Sequence, residues 1–198
     1  MPVNGGRRFS QAISEGDGIS LIAPVSSPDD AARVEAEGAE AVLVRTVDGS
    51  AIDQIRTATS LPVLVAWPGE LGRSHPEADA CLLEVGEDLD SLARLTVELG
   101  DMYELVFRLD DEDLLATALE ELDPEIFVLA APGTEGDEAL EHVLDLLPDV
   151  PAGKLAVAEL TGSSREDIGA LERAGFDGVI VEAGRLAELA VPAQYHDV

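Results

Sequence analysis

Short apolar runs alternate with amphipathic segments along the whole chain. The apolar runs are rich in β-branched residues and stay hydrophobic at consecutive positions, which is typical of strands covered on both faces. They predict strands at 21–25, 41–46, 62–67, 80–85, 104–109, 126–131, 155–160 and 178–182. The segments between them carry helical periodicity and predict helices at 28–37, 51–59, 89–99, 111–122, 137–147 and 164–174.

Local signals at the helix ends agree with these boundaries. Ser27 precedes Pro28 and two aspartates, so a serine N-cap, a proline at the first helical position and acids in the first turn coincide. Residues 163–167 make a similar opening. The run 36–44, AEGAEAVLV, is echoed by RAGFDGVIV at 173–181, and in each copy a glycine ends a helix before a buried strand. The echo indicates internal repetition.

The order of elements predicts a (β/α)8 barrel formed by one domain, residues 1–198. Eight strand–helix units joined by right-handed crossovers produce that architecture, which usually needs about 250 residues. This chain has 198 residues, so we expect a compact barrel. Its third and eighth helices are shortened, because only 69–78 and 185–190 are left for them. A doubly wound open sheet remains the alternative, since the sequence does not give the strand order.

The charge of the chain limits which partners it can bind. Twelve basic residues stand against 41 acidic ones, a formal net charge of −29 at pH 7. Nucleic acid is not an expected partner, because Lys and Arg make phosphate contacts. The acids are spread over every predicted helix beside a full apolar complement, unlike the blocks of acidic tails. This composition is typical of salt-in halophiles, so we expect a haloarchaeal source and a fold that weakens at low salt.

Targeting and redox signals are absent from the sequence. No apolar run reaches the roughly 18 residues of a membrane helix, and the amino-terminal residues lack the apolar stretch of a signal peptide. We therefore expect a cytoplasmic protein with no membrane partner. The single cysteine, Cys81, excludes an internal disulfide framework and a CxxC metal site. No two histidines have metal-ligand spacing, and we expect neither a metal nor a cofactor.

Several stretches resemble indole-3-glycerol phosphate synthase, the ribulose-phosphate-binding barrel that closes the indole ring in tryptophan biosynthesis. FSQAISEGDGISLIA resembles the lead-in helix and first strand of that family, and EGAEAVLVRT resembles its second unit. GSAIDQIRTATSLPVLV and ELVFRLDDEDLLATAL are similar to the third strand and fifth unit with their helices. LAVAELTGSSREDIGALERAGFDGVIVEA resembles the last two units. The resemblance implies a barrel fold and, if the chain is an enzyme, a carbon–carbon lyase activity.

The catalytic positions of that family are mostly replaced here. Pro-Val-Ser at 24–26 stands where the family has Glu and Lys, and Phe107 stands in place of its fifth-strand Glu. Glu159 matches the Glu of the seventh strand, whereas Glu182 replaces a phosphate-binding glycine. The only lysine, Lys154, begins the seventh strand, at the stability end of a barrel. Ring closure needs a proton donor, and arginine is too weak an acid to replace lysine.

Ligand chemistry in such a barrel lies at the carboxyl ends of the strands. The candidates there are Glu159 as a catalytic residue and Ser26, Arg45, Trp67, Arg108 and Glu182 as substrate-binding residues. Two arginines can clamp a carboxylate or phosphate. Alternatively, they pair with Glu84, Glu159 or Glu182, because buried charges need partners. Trp67 either stacks on an aromatic ligand or plugs the barrel.

Three functional hypotheses remain open at this level. The first is a divergent synthase-like barrel without ring-closing activity, a pseudoenzyme that binds a small anionic metabolite or a protein partner. The second is an active enzyme of the same family or of altered lyase or isomerase chemistry, acting on a phosphorylated or carboxylated substrate through Glu159 and an arginine. The third is a structural role. The oligomeric state is not predicted.

Overall fold

The chain folds into a closed barrel of eight parallel strands in a computed structural model that describes residues 7–16, 18–45, 48–67, 75–86 and 88–190. The strands are β1 Ser20–Val25, β2 Ala41–Val44, β3 Val63–Ala66, β4 Ala80–Glu84, β5 Glu104–Leu109, β6 Ile126–Ala130, β7 Leu155–Glu159 and β8 Gly178–Ile180. They pair in chain order, and β1 pairs with β8 through Leu21 and Val179. This last pairing confirms the barrel over the open sheet.

Helices alternate with the strands around the barrel. Within the described residues they are α1 Arg8–Ser14, α2 Pro28–Ala36, α3 Gly49–Ala58, α4 Leu89–Leu99, α5 Glu112–Glu121, α6 Gly136–Leu146, α7 Arg165–Ala174 and α8 Leu186–Leu189. The helix after β8 is short, as predicted. The segment predicted for the shortened third helix, 69–78, lies mostly outside the described residues, and its described part, 75–78, is not helical. None of the helices in the described ranges has the length and apolar character that a membrane crossing requires.

The predicted helix caps are present. Ser27 and Ser164 each accept a hydrogen bond from the backbone N–H three residues on, at 3.1 and 3.2 Å. Asp167 returns the contact by accepting from the Ser164 N–H at 2.7 Å, which completes a capping box. Gly38 and Gly175, the glycines of the repeated segment, have φ values of 98° and 107°. Only glycine adopts this left-handed conformation without strain, so both ends are fixed by the sequence.

Alternation along the strands divides the apolar residues into two layers. Every second side chain of a strand lies in the interior of the barrel, and the side chains between them pack outward against the helices. The interior layer contains Ile22, Leu43, Leu64, Leu82, Val106, Val128, Val157 and Ile180. The outer layer includes Ala23, Val42, Val65, Leu83, Phe107, Leu129, Ala158 and Val179. Burial on both faces explains why the strands are apolar at consecutive positions.

The helix α1 closes the amino-terminal end of the barrel. Phe9 and Ile13, one helical turn apart, are fully buried and belong to the interior layer. Glu104, at the start of β5, accepts hydrogen bonds from the N–H groups of Phe9 and Ser10 at 2.7 and 3.1 Å. The first N–H groups of a helix have no partner within the helix, so this carboxylate both satisfies and positions them.

Ion pairs hold the same end of the barrel. Asp79 accepts from the Val63 N–H at 2.8 Å and pairs with Arg8 and Arg56, each at 3.0 Å. Lys154 lies between Asp123 and Glu125 at 2.8 and 2.9 Å, and these hydrogen bonds raise its pKa. The only lysine is therefore a paired residue at the amino-terminal end, opposite the end where ligands bind in barrels of this class.

Substitution of Glu104 tests the closure by α1. In Glu104→Gln the carboxamide offers one acceptor oxygen and turns a donor toward a helix terminus that needs acceptors. We expect the free energy of unfolding to fall by about 1–3 kcal/mol. Denaturant unfolding in concentrated KCl measures the change. Glu141→Gln, on the exposed face of α6, removes the same charge without a contact and is the matched control. Equal effects of the two substitutions would contradict the role of Glu104.

Candidate functional site

Charged side chains occupy the carboxyl-terminal mouth of the barrel. Arg45, Glu84, Arg108 and Glu159 each lie two residues after an interior apolar residue of their strand. Alternation therefore turns all of them toward the barrel axis, one layer above the apolar interior. Together these four residues are called the mouth cluster here. Glu182 occupies the equivalent position two residues after Ile180 and is exposed.

The mouth cluster is a chain of ion pairs of alternating sign. One carboxylate oxygen of Glu159 accepts a hydrogen bond from Arg45 Nη2, and the other accepts from Arg108 Nε. Arg108 also donates from Nη1 to Glu84 at 2.9 Å. The contacts join β2, β7, β5 and β4, so they cross the mouth of the barrel. The predicted alternative in which the arginines pair with Glu84 and Glu159 is the arrangement observed.

The inner members of the mouth cluster are the more buried ones. The side chains of Glu159 and Arg108 are 19% and 20% exposed, against 44% for Arg45 and 57% for Glu84. Burial acts to lower the pKa of Arg108, but hydrogen bonds and charge from Glu159 and Glu84 outweigh it and raise that pKa. Arg108 and Glu159 thus pair in a partly dehydrated place, where breaking the pair leaves an uncompensated charge.

The other predicted site residues have different surroundings. Ser26 is exposed and donates its hydroxyl to Asp30 at 3.0 Å, in the first turn of α2. Glu182 has no ion-pair partner among the described residues, whereas pairing with an arginine was one of the alternatives. Of the carboxylates at the mouth, Glu159 is shared by two arginines, Glu84 pairs with Arg108, and Glu182 has no ion-pair partner among the described residues.

Trp67 lies outside the barrel interior, so the expectation that it plugs the barrel is wrong. It follows Ala66, which packs against the interior layer, and alternation turns Trp67 into the outer layer. Its ring stacks on His75, with centroids 5.9 Å apart and planes at 16°. His75 in turn lies against Tyr103, whose hydroxyl donates to the Pro76 carbonyl at 2.7 Å. This aromatic group covers the outside of β3 and β4.

Glu84 belongs to the mouth, although the sequence names it only as a partner for the arginines and not as a ligand-binding residue. The signal for it was the same alternation that marks the arginines, since Leu82 faces the interior and Glu84 is the next residue on that face. A glutamate at the end of a strand is common in so acidic a chain. Only the strand register, which sets Glu84 beside Arg108, separates it from the solvated carboxylates.

Metal and nucleophile chemistry find no support in the described part of the chain. No group of three His, Cys, Asp or Glu side chains is arranged to hold a metal ion there. His142 bonds the carbonyl of Asp110 at 2.8 Å, and His196 lies outside the described residues. Burial raises the pKa of the Cys81 thiol to about 12, so the thiolate form needed of a nucleophile is not populated. The chemistry of the mouth is that of guanidinium and carboxylate groups.

Comparisons with known proteins identify the fold. No family model and no curated protein matches the chain, so the resemblance to indole-3-glycerol phosphate synthase stays a prediction. Among solved structures, a match is the N-acetylmannosamine-6-phosphate 2-epimerase from Clostridium perfringens, with a TM-score of 0.62 and 15% identity over 82% of this chain and 86% of that chain. A likeness at this identity shows the barrel fold alone, and function has to be argued from the site.

A double-mutant cycle measures the strength of the inner ion pair. Arg108→Gln, Glu159→Gln and the double variant are compared by denaturant unfolding in concentrated KCl. We expect a coupling of about 1–3 kcal/mol, in the range of contacting, partly buried networks. The control cycle uses Arg33 and Glu37, an exposed pair on α2 at 3.3 Å, for which about 0.3–0.5 kcal/mol is expected. A coupling in the mouth no larger than that on α2 would contradict the account.

Proposed function

We propose that this barrel binds a small anionic ligand, phosphorylated or carboxylated, at its carboxyl-terminal mouth, and that Arg45 and Arg108 hold the anion. The observation that carries the proposal is the convergence of both arginines on the single carboxylate of Glu159. Their fork-like donors match carboxylate and phosphate oxygens. Glu159 therefore occupies the place that the anionic group of a ligand takes.

Exposure favours exchange of Glu159 for a ligand. Arg45 is 44% exposed, so a ligand reaches its guanidinium from solvent before the inner pair opens. The scarcity of cations supports the same view. A chain with 12 basic residues against 41 acidic ones places two arginines at the one end of the barrel where ligands bind. Internal pairing with Glu159 holds both guanidinium groups in position at the mouth.

Ring closure of the synthase type is not part of the proposed function. That reaction needs a proton donor at the substrate carbonyl, and lysine provides it in the family that the sequence resembles. The single lysine, Lys154, is paired with Asp123 and Glu125 at the opposite end. Arginine keeps its proton at all accessible pH values and does not replace it. We therefore favour a barrel that has lost the synthase reaction.

A second candidate is an enzyme of altered chemistry on the same kind of ligand. Both oxygens of Glu159 are engaged by the groups that the anion would take. Binding of the anion frees this carboxylate beside the ligand, where it is able to act as a general base. The neighbouring epimerase is named for a phosphorylated sugar, which agrees with an anionic ligand in a barrel of this shape. Isomerase or lyase chemistry would then depend on Glu159.

The setting proposed for this function follows from composition. We propose a single domain, residues 1–198, that works in the cytoplasm of a salt-adapted, haloarchaeal cell without metal or cofactor. The net charge of −29 spread over the helices supports a surface adapted to concentrated salt.

Calorimetric titration with inorganic phosphate in concentrated KCl tests the binding site. We expect Arg45→Gln and Arg108→Gln each to weaken binding about tenfold or more, because a charge-assisted hydrogen bond contributes about 1.5–3 kcal/mol. Glu159→Gln removes the internal competitor and should tighten binding. Arg94→Gln is the control, since Arg94 bonds only to its own helix α4, through Asp90 and Ser91. If the Arg94 and mouth variants behave alike, or phosphate does not bind, the proposal is wrong.

A growth assay tests the absence of synthase activity. A salt-tolerant host that requires tryptophan because it lacks the synthase is supplied with the wild-type chain or with Glu159→Gln. We expect no growth without tryptophan from either chain, since the only lysine of the sequence, Lys154, is paired at the opposite end of the barrel. A genuine synthase in the same vector is the positive control. Growth with the wild type that Glu159→Gln abolishes would overturn the loss of the synthase reaction.

A further inference from the structure

We propose that the ligand is a zwitterion, a small molecule that carries an ammonium group as well as its oxyanion. This inference rests on the proposed function of the mouth and names the ligand class. The observation behind it is the balance of charge among the side chains that face the barrel axis at the mouth. Among the described residues that follow the interior layer at the mouth, Arg45 and Arg108 contribute two positive charges, whereas Glu84, Glu159 and Glu182 contribute three negative ones.

A ligand that carries only an anion adds to the excess of negative charge at the mouth. When it takes the arginines from Glu159, the carboxylate loses both of its hydrogen-bonded partners. Glu159 is only 19% exposed, so solvent compensates the loss in part. A partly buried charge left without a partner opposes binding, and the ligand then gains little over the contact it displaces.

An ammonium group removes this obstacle. It gives Glu159 a new cationic partner at the moment when the oxyanion takes the guanidinium groups. The two ion pairs of Glu159 are exchanged for two ion pairs between the arginines and the oxyanion and one between the ammonium group and Glu159, so Glu159 is not left without a partner. A Lys or Arg on the protein could do the same, but within the described residues no other cationic side chain pairs with the carboxylates of the mouth cluster.

The strand order gives the two charges of the ligand separate places. Glu159 and Glu182 lie at the ends of the neighbouring strands β7 and β8, where Glu159 is in register with Ile180, two residues before Glu182. Glu182 is exposed and has no ion-pair partner among the described residues. Arg45 extends from β2, across β8 and β1 from β7 in the closed sheet. The ammonium group therefore lies toward β7 and β8, and the oxyanion lies toward Arg45 and Arg108.

Matched ligand pairs test this inference by calorimetry in concentrated KCl. O-phosphoethanolamine is compared with ethyl phosphate, and β-alanine with propionate. The two members of each pair differ by the ammonium group, and the two pairs distinguish a phosphate ligand from a carboxylate ligand. We expect the ammonium-bearing member of at least one pair to bind about tenfold more tightly, which is one ion pair of moderate strength. In Glu159→Gln this advantage should shrink toward unity, because the ammonium group loses the carboxylate with which it pairs, and in Glu182→Gln it should shrink in part. Glu141→Gln on α6 should leave it unchanged.

The outcomes separate this inference from the function on which it rests. If both ethyl phosphate and propionate bind through the arginines as tightly as their ammonium partners, the zwitterion is excluded and the anion site stands. If none of the four ligands binds, the proposed function itself fails. Ethanolamine alone provides the last comparison. Binding of ethanolamine as tight as that of O-phosphoethanolamine would make the mouth a cation site and overturn both proposals.

Discussion

Closure of the sheet into a barrel forces every second residue of each strand into one shared interior. Eight strands in chain order leave no edge, so the inward side chains have only each other and the two ends of the barrel to contact. Apolar residues fill the middle layers, and Phe9 and Ile13 of α1 complete them at the amino-terminal end. At the other end the next inward positions of β2, β4, β5, β7 and β8 carry charge. These charges have to be paired across the mouth, because a guanidinium that is 20% exposed is only partly hydrated.

That pairing gives Glu159 two roles, one in the protein alone and one in the proposed complex with a ligand. In the free protein it is the counter-ion that holds Arg45 and Arg108 in the mouth. In the proposed complex with an anion it is the group that loses its partners. The same carboxylate thus stabilises the mouth of the barrel and, under this proposal, sets the charge of the ligand. The amino-terminal end has no such ambiguity, since Asp79 and Glu104 are saturated by backbone N–H groups and, for Asp79, by two arginines.

Much of the fold could be predicted from the sequence because local signals agree with it. Consecutive apolar residues located all eight strands, Ser27 and Ser164 marked helix starts, and Gly38 and Gly175 marked helix ends. It was harder to predict on which side of the sheet, inside or outside the barrel, each strand residue lies. A strand buried on both sides has no polar face to fix its phase, so a barrel plug was one of the two alternatives for Trp67, although Trp67 packs outward against His75. The phase becomes clear only when several strands are aligned.

The candidate site was predictable in part for the same reason. Arg45, Arg108 and Glu159 stood out as charges that end apolar strands, and their ends were correctly placed at the mouth. Which arginine meets which carboxylate depends on strand order and side-chain reach across the barrel, which the sequence does not encode locally. Glu84 shows this limit, because only its register with Arg108 distinguishes it from the many solvated acids of the chain.

The most direct test of the shared carboxylate is the NMR signal of the arginine Nε–H groups at high salt. We expect a downfield, exchange-protected Nε–H resonance for Arg108, because this group donates to Glu159 in a partly buried place. In Glu159→Gln that resonance should shift upfield and lose protection. An Arg108 signal that resembles exposed Arg94 in the wild type, or that is unchanged by the substitution, would contradict the account.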